Sequence, residues 1–166
     1  MDDAKRSERD LQANATTIER ASEREIVVRR TFNAPARLVF AAWTTPELFK
    51  RWWAPKSLGV PLLSCEMDVR TGGTYCLTFG QDSASAFAFH GRYIEVTPHT
   101  RIVWTNEESD GGAVTTVTFE EKDGRTHLTL TELYPSAEAL EAERGAEDGL
   151  PEQFAQLDAL LFTLGG

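Results

Sequence analysis

Seven runs between Glu25 and Leu133 alternate apolar and polar side chains, each bounded by a turn signal, and this period of two predicts seven strands. The first is Glu25 to Phe32, with Ile26, Val28 and Phe32 on one face and Arg30 as the odd member. Leu62 to Val69 places Cys65, Met67 and Val69 opposite Glu66 and Asp68. Arg70-Thr71-Gly72-Gly73 then turns the chain into Thr74 to Phe79, the glycines supplying positive φ. Ala86 to Val96 is the longest run and changes phase. Phe87 and Phe89 share one face and Ile94 and Val96 the other, with Gly91 between as the place for a bulge or bend. Arg101 to Asn106 points Ile102 and Trp104 inward, and Asp110-Gly111-Gly112 turns into Ala113 to Glu121, where Val117 and Phe119 alternate with Thr116 and Thr118. Lys122-Asp123-Gly124-Arg125 is a further hairpin into Thr126 to Leu133, with Leu128 and Leu130 inward. Such one-sided alternation means one buried face and one wet face.

Two other stretches repeat at the helical period. In Ala34 to Pro55, Leu38, Val39, Ala42 and Trp43 form a narrow stripe after Pro35, and Thr45-Pro46-Glu47 reads as an N-cap, a first-turn proline and an acid at the positive helix end. Leu48 then pairs with Trp52 and Phe49 with Trp53 at i, i+4 before Ala54-Pro55 ends the segment. Helices this short need a surface to pack on, and the sheet is the only one large enough. From Pro151 to Leu164 a single stripe joins Leu150, Phe154, Leu157, Leu161 and Leu164, widened by Leu160 and Phe162. Before it lies an acidic connection, Tyr134 to Gly149, with a short helix through Ala137 to Arg144. The sum is an α+β fold with helices on one face of a curled antiparallel sheet.

The length suits one domain with a modest extension: residues 1–22 form a polar leader, weakly helical or disordered, and residues 23–166 a single domain. The net charge of −9 is concentrated at the C-terminal end, where Arg144 stands against eight acidic residues. With no basic footprint, neither nucleic acid nor an anionic membrane is an expected partner. The opening MDDAKRSERD lacks the apolar core of a secretory signal, and no run approaches the length of a membrane helix, so a cytoplasmic location is expected. Cys65 and Cys76 could approach across a hairpin, but the reduced form is the default in that compartment, and two cysteines make neither a disulfide framework nor a zinc site.

Four pieces in order, NAPARLVFAAWTTPELFKRWWAP, DVRTGGTY, GRYIEVTPHTRIVWT and TTVTFEEKDGRTHLTLTE, resemble the START-like (SRPBCC) superfamily, and within it the activator of heat-shock protein 90 ATPase homologue 1-like family. The resemblance covers about residues 25–133 and implies the helix-grip (START/Bet v-like) fold. In it a curved antiparallel sheet of about seven strands wraps round a long C-terminal helix, with two short helices after the first strand. This chain has Gly149-Leu150 where members often carry a Gly-Trp pair. The fold implies a cavity between sheet and last helix. Strand and helix periodicity would line it with Trp43, Trp53, Tyr75, Leu77, Phe79, Phe87, Phe89, Trp104, Phe154, Leu157 and Leu161. The same side chains would equally serve as a filled core.

That resemblance implies an intracellular protein holding an apolar or aromatic small molecule, without cofactor or metal. A cyclase- or hydrolase-like enzyme using the same cavity and a co-chaperone or protein-interaction module are the alternatives. The first strand or the leader offers a route to a homodimer. For catalysis the candidates are His90, which could pair with Glu66, Arg92 on the same strand face as His90, and His127 and Glu132 of the last strand. Strand phase sets His90 opposite Phe87 and Phe89, toward the solvated face, and His99 falls in a turn. No phosphate loop, Cys-His pair or close-spaced metal-ligand set is present, so no residue is assigned a catalytic role.

Overall fold

In the computed structural model, which describes residues 16–54, 56–59, 61–82, 84, 86–107, 112–142 and 149–165, all seven expected runs form strands. An eighth precedes them. The elements are β1 (Thr17–Arg20), β2 (Glu25–Phe32), α1 (Ala36–Thr44), α2 (Pro46–Phe49), a 3-10 turn (Lys56–Leu58), β3 (Leu62–Met67) and β4 (Thr74–Phe79). There follow β5 (Phe87–Thr97), β6 (Arg101–Thr105), β7 (Val114–Lys122), β8 (Arg125–Leu133), α3 (Ala137–Ala142) and α4 (Leu150–Gly165). The strands make one antiparallel sheet in the order β1-β2-β8-β7-β6-β5-β4-β3. A curved sheet closed round a C-terminal helix is the helix-grip fold.

The first strand corrects the reading of the leader. Thr17–Arg20 is neither helix nor disordered but pairs with β2, from Thr17 opposite Arg29 to Arg20 opposite Ile26. All four of its residues are exposed; backbone pairing and two surface ion pairs, Glu19 with Arg29 at 3.0 Å and Arg20 with Glu141 at 2.8 Å, hold it, and no hydrophobic pattern marks it. Residues 1–15 of that leader lie outside the described residues, as do Glu143 and Arg144 of the expected short helix and Asp110-Gly111 of the expected turn.

The sheet bends at β5. Its first half, Phe87 to Arg92, pairs with β4, and its second half, Tyr93 to Thr97, with β6. The phase change read from the sequence is real, but its bulge lies at Ile94 rather than Gly91. The bulge leaves Ile94 half-exposed outside and returns Val96, opposite Ile102, to the inner face, so those two residues do not share a side. Gly91 matters for another reason. An added Cβ would sit 1.9 Å from the Thr105 carbonyl oxygen, so only glycine lets the two strands close here. Of the Arg70–Gly73 glycines only Gly72 has positive φ.

The inner face buries Ile26, Val28, Phe32, Val117, Leu128 and Leu130 under α4. Phe154 of α4 meets Phe32 edge-on at 5.6 Å and Trp43 at 6.2 Å. The stripe on α4 ends at Leu161. Phe162, about 100° further round the helix, is 85% exposed and does not widen it.

Arg30, the odd member of its strand face, is explained by α4. Its guanidinium reaches Asp158 at 3.2 Å and the Thr16 hydroxyl at 3.0 Å, and it lies over the Phe32 ring. The Arg30 side chain is 11% exposed and its Nε has no acceptor among the described residues, so this pair is held in a poorly solvated place. Arg30→Ala should strand Asp158 beside the sheet and lower stability by about 1–3 kcal/mol, measured as a shift in the urea midpoint at unchanged slope.

α1 and α2 are also latched to α4. The carbonyls of Trp52, Trp53 and Ala54 have no helical partner after so short a turn. Gln156 donates to Trp52 at 2.9 Å and to Ala54 at 3.0 Å, and Gln153 donates to Trp53. In return Gln156 accepts from the Lys56 amide, and Glu152 accepts from the Ser57 amide and hydroxyl. These bonds from Ser57 hold the Glu152 carboxyl below its ordinary pKa. Thr45 takes the N-cap position of α2, as expected, but its side chain makes no capping bond.

A candidate ligand cavity

Between the inner face of β4 to β8, the tryptophan stretch and the first turn of α4 lies a cavity of about 270 Å³. Its walls come from elements that the latch just described holds in register. Trp43 of α1 and Trp53 after α2 close one side, Tyr75, Leu77 and Phe79 of β4 another, and Phe89 of β5 and Trp104 of β6 the floor. Leu150 and Gln153 of α4 form the roof. The aromatic rings touch one another: Trp43 lies 5.8 Å from Trp104 and 5.9 Å from Trp53, and Phe49 stacks on Trp53 at 4.8 Å.

One end of the cavity is polar. Asn106, Glu132 and Tyr134 line it, with the Tyr75 hydroxyl close by. That hydroxyl donates to the Thr105 carbonyl at 2.7 Å and to Asn106 Oδ1 at 3.3 Å. Asn106 Nδ2 donates to the Ala113 carbonyl and, at 3.0 Å, to the Thr115 hydroxyl, which satisfies that buried threonine. The Tyr134 hydroxyl donates to Glu132 Oε2 at 3.2 Å. Burial raises the phenol of Tyr93, also on the wall, above its ordinary pKa, so it is protonated at neutral pH.

With that geometry in hand, comparison with known proteins decides the family. Residues 33–161 match the family model described as activator of Hsp90 ATPase homolog 1-like protein. The chain belongs to that family. No curated protein matches it in sequence. A solved Rhodobacter sphaeroides protein is 24% identical with a TM-score of 0.81, covering 90% of this chain and 99% of that one. A Chromobacterium violaceum protein is 27% identical with a TM-score of 0.70, covering 84% of this chain and 98% of that one. An AHSA1-like protein from Aeromonas hydrophila, 22% identical, superposes at 0.66 over 81% of this chain and 92% of that one. The lower identities speak for a shared fold alone.

In this member of the Hsp90 ATPase activator homolog 1-like family, seven of the eleven residues expected at the cavity stand on its wall, as given above. The other four do not. Phe87, half-exposed, stacks on Phe79 at 5.7 Å at the outer end of β5. Phe154, Leu157 and Leu161 are buried in contact with the core, because α4 roofs the cavity only with its first turn and fills the space under the rest. Leu150 is one of the roofing residues.

The expected histidine candidates stay outside. His90 and Glu66 both flank Cys76 in the ladder, which sets them on the outer face about 10 Å apart, two strand spacings. Arg92 pairs with Glu107 at 2.8 Å, and bonds from Thr105 and Arg92 lower the Glu107 pKa. His127 meets the Thr31 hydroxyl at 2.8 Å on the same outer side, and the His99 ring packs edge-on against Phe40 at 5.5 Å. Of the catalytic candidates only Glu132 faces the cavity. Among the described residues no cluster of His, Cys, Asp and Glu could hold a metal ion, and no helix is long and apolar enough to cross a membrane.

The cysteines do not meet. Cys65 sits opposite Leu77 on the inner side and Cys76 opposite Glu66 on the outer, and both are free. Burial is the main cause that pushes the Cys65 thiol up to about 11, and it contacts Met67 Sδ at 3.2 Å. Alkylation of Cys65 by iodoacetamide should therefore be slow at pH 8 and accelerate toward pH 11. The unfolded chain, with the thiol near 9.0, loses this proton first. Stability should consequently fall as pH rises from 9.0 toward 11, and a Cys65→Ala variant should lack that part of the slope.

Proposed function

We propose that this chain is a small-molecule-binding protein that holds an apolar or aromatic ligand between its sheet and its C-terminal helix. One observation carries the reading: the interior is not filled, but leaves about 270 Å³ walled by aromatic rings with polar groups gathered at one end. Small-molecule sites have that form. A 150 Å³ apolar cavity is enough for benzene, so this one suits a molecule of one or two rings. Native mass spectrometry before and after denaturation should reveal a small molecule released on unfolding, and calorimetry on stripped protein should register uptake of a bicyclic aromatic such as 2-acetonaphthone. Ala113→Leu, which adds bulk to a buried wall position, should abolish that uptake with little effect on stability. Stripped protein that takes up no aromatic probe would defeat the reading.

One observation favours a second reading, an enzyme of the cyclase or hydrolase kind. Glu132 and Tyr134 form a hydrogen-bonded acid–phenol pair on the cavity wall, which is where a general base would have to stand. Turnover lost in Glu132→Gln while ligand uptake persists would separate it from pure binding.

A further inference from the structure

The apolar wall of the cavity runs out to solvent at one place. Among the described residues that line the cavity, Phe89 alone is exposed, at 38%. It pairs with Leu77 in the ladder, as Phe87 pairs with Phe79, and both of those partners are buried, so the two phenylalanines project from the inner face of the sheet. The three rings form one continuous track. Phe79, on the cavity wall, stacks on Phe87 at 5.7 Å and meets Phe89 edge-on at 5.5 Å, and Phe87 meets Phe89 at 5.7 Å. Phe87, half-exposed, carries that track beyond the wall. The rim is fixed by backbone: the Gly80 amide donates to the Pro61 carbonyl at 3.1 Å. Contiguous exposed apolar surface of this kind marks a binding groove. Further along the same strand pair the polar groups begin, where Tyr75, opposite Gly91, bonds to Asn106. From Gly91 back to Phe87 is about 13 Å along the strand, at about 3.3 Å per residue.

We infer that the site is open-ended and takes an elongated ligand, with a ring bearing a polar group at the Tyr75–Asn106 end and an apolar tail that runs out over Phe89 to Phe87. This rests on the binding reading above and names its ligand class. A half-exposed track removes only part of the tail from water. Each methylene laid on it should therefore strengthen binding about twofold, against about fourfold for full burial.

The test uses a chain-length series, 4-ethylphenol, 4-butylphenol, 4-hexylphenol and 4-octylphenol, titrated into stripped full-length protein. With its hydroxyl at the polar end, the ethyl compound stops at Phe89 and the octyl chain reaches Phe87. Affinity should rise throughout the series, by about tenfold or more from butyl to octyl. Phe87→Ser should flatten the rise beyond butyl and leave the affinity for 4-ethylphenol unchanged. Ile94→Ser, at an equally exposed position on the outer face, should alter neither. In the octyl complex, nuclear Overhauser contacts should join the terminal methyl of the chain to the Phe87 ring. If Phe87→Ser does not fold, the wild-type series and these contacts decide by themselves. An affinity that falls beyond ethyl would mean a closed cavity, and a rise unchanged in Phe87→Ser would place the tail elsewhere. A dimer in native mass spectra that Phe87→Ser dissociates would assign the exposed rings to a second copy of the chain. Each of these, or uptake of 2-acetonaphthone without uptake of any phenol, would overturn the open-ended site and leave the binding reading standing. No uptake of 2-acetonaphthone or of any phenol would overturn both readings together.

Discussion

Gly91→Ala is expected to destabilise the fold by about 3 kcal/mol or more, at the upper end of what overpacking does. The methyl group would arrive 1.9 Å from the Thr105 carbonyl oxygen and 2.9 Å from the Tyr75 ring. Neither obstacle is the loose end of a flexible side chain. Thr105 is the last residue of β6, and its carbonyl is held by the Tyr75 hydroxyl at 2.7 Å. To admit the methyl, β5 must part from β6 at the point where the long strand leaves one ladder for the other, and the bend that shapes the cavity opens. The comparison is Gly124→Ala in the β7–β8 hairpin, where nothing lies within 4 Å and only the positive φ of 78° resists. That change should destabilise by about 1–2 kcal/mol. Urea unfolding of the two variants measures the gap. Equal losses would mean that the strands at Gly91 give way easily and that the corner is soft.

The same corner shows what is legible in the sequence. A break in alternation near Gly91 announces that the long strand must bend, and it does. The exact place does not follow, because a bulge at Ile94 and a close approach at Gly91 leave the same mark on a pattern of two. The apolar side of the cavity is legible too, since Tyr75, Leu77 and Phe79 alternate on one strand and the tryptophans cluster at helical spacing. Its polar end lies within reach of the same pattern, yet the pattern alone does not single it out. Counting on by two from Leu128 and Leu130 arrives at Glu132 and Tyr134, and from Phe119 and Val117 backwards at Thr115 and Ala113. Trp104 leads in the same way to Asn106. Polar residues on an inward phase look like noise until something accounts for their burial, and that account lies across the sheet: Asn106, just past the end of β6, satisfies Thr115 on β7. Contacts between strands are not written in the period of either one. β1 is the extreme case, because four exposed residues, held by backbone pairing and surface ion pairs, carry no periodic signal at all.

Trp52→Ala is expected to remove about 3–5 kcal/mol, a large share of the roughly 5–15 kcal/mol by which a domain of this kind is stable. No part of Trp52 is exposed, and its ring is surrounded by Trp43 at 4.7 Å, Phe49 at 5.3 Å, Trp53 at 5.4 Å and Phe154 at 6.4 Å. The deletion leaves a void that four aromatic rings cannot all close, since each is also held by another surface. It also strands the Ala42 carbonyl that accepts the indole N–H. Trp52→Phe separates the two effects: it keeps a ring in place and loses the hydrogen bond, so about 1–3 kcal/mol should go. Trp52 does not line the cavity, yet Trp43 and Trp53 on either side of it do. Its loss should therefore weaken uptake of an aromatic probe even under conditions where the variant is still folded. Gln156→Ala bears on the same link from the other side, since that glutamine holds the Trp52 and Ala54 carbonyls to α4. If both variants lose uptake while far-ultraviolet dichroism stays native, the tryptophan stretch acts as the hinge post on which the cavity wall hangs. If uptake survives in both, the wall is carried by the sheet alone, and the contacts between α1 and α4 serve stability only.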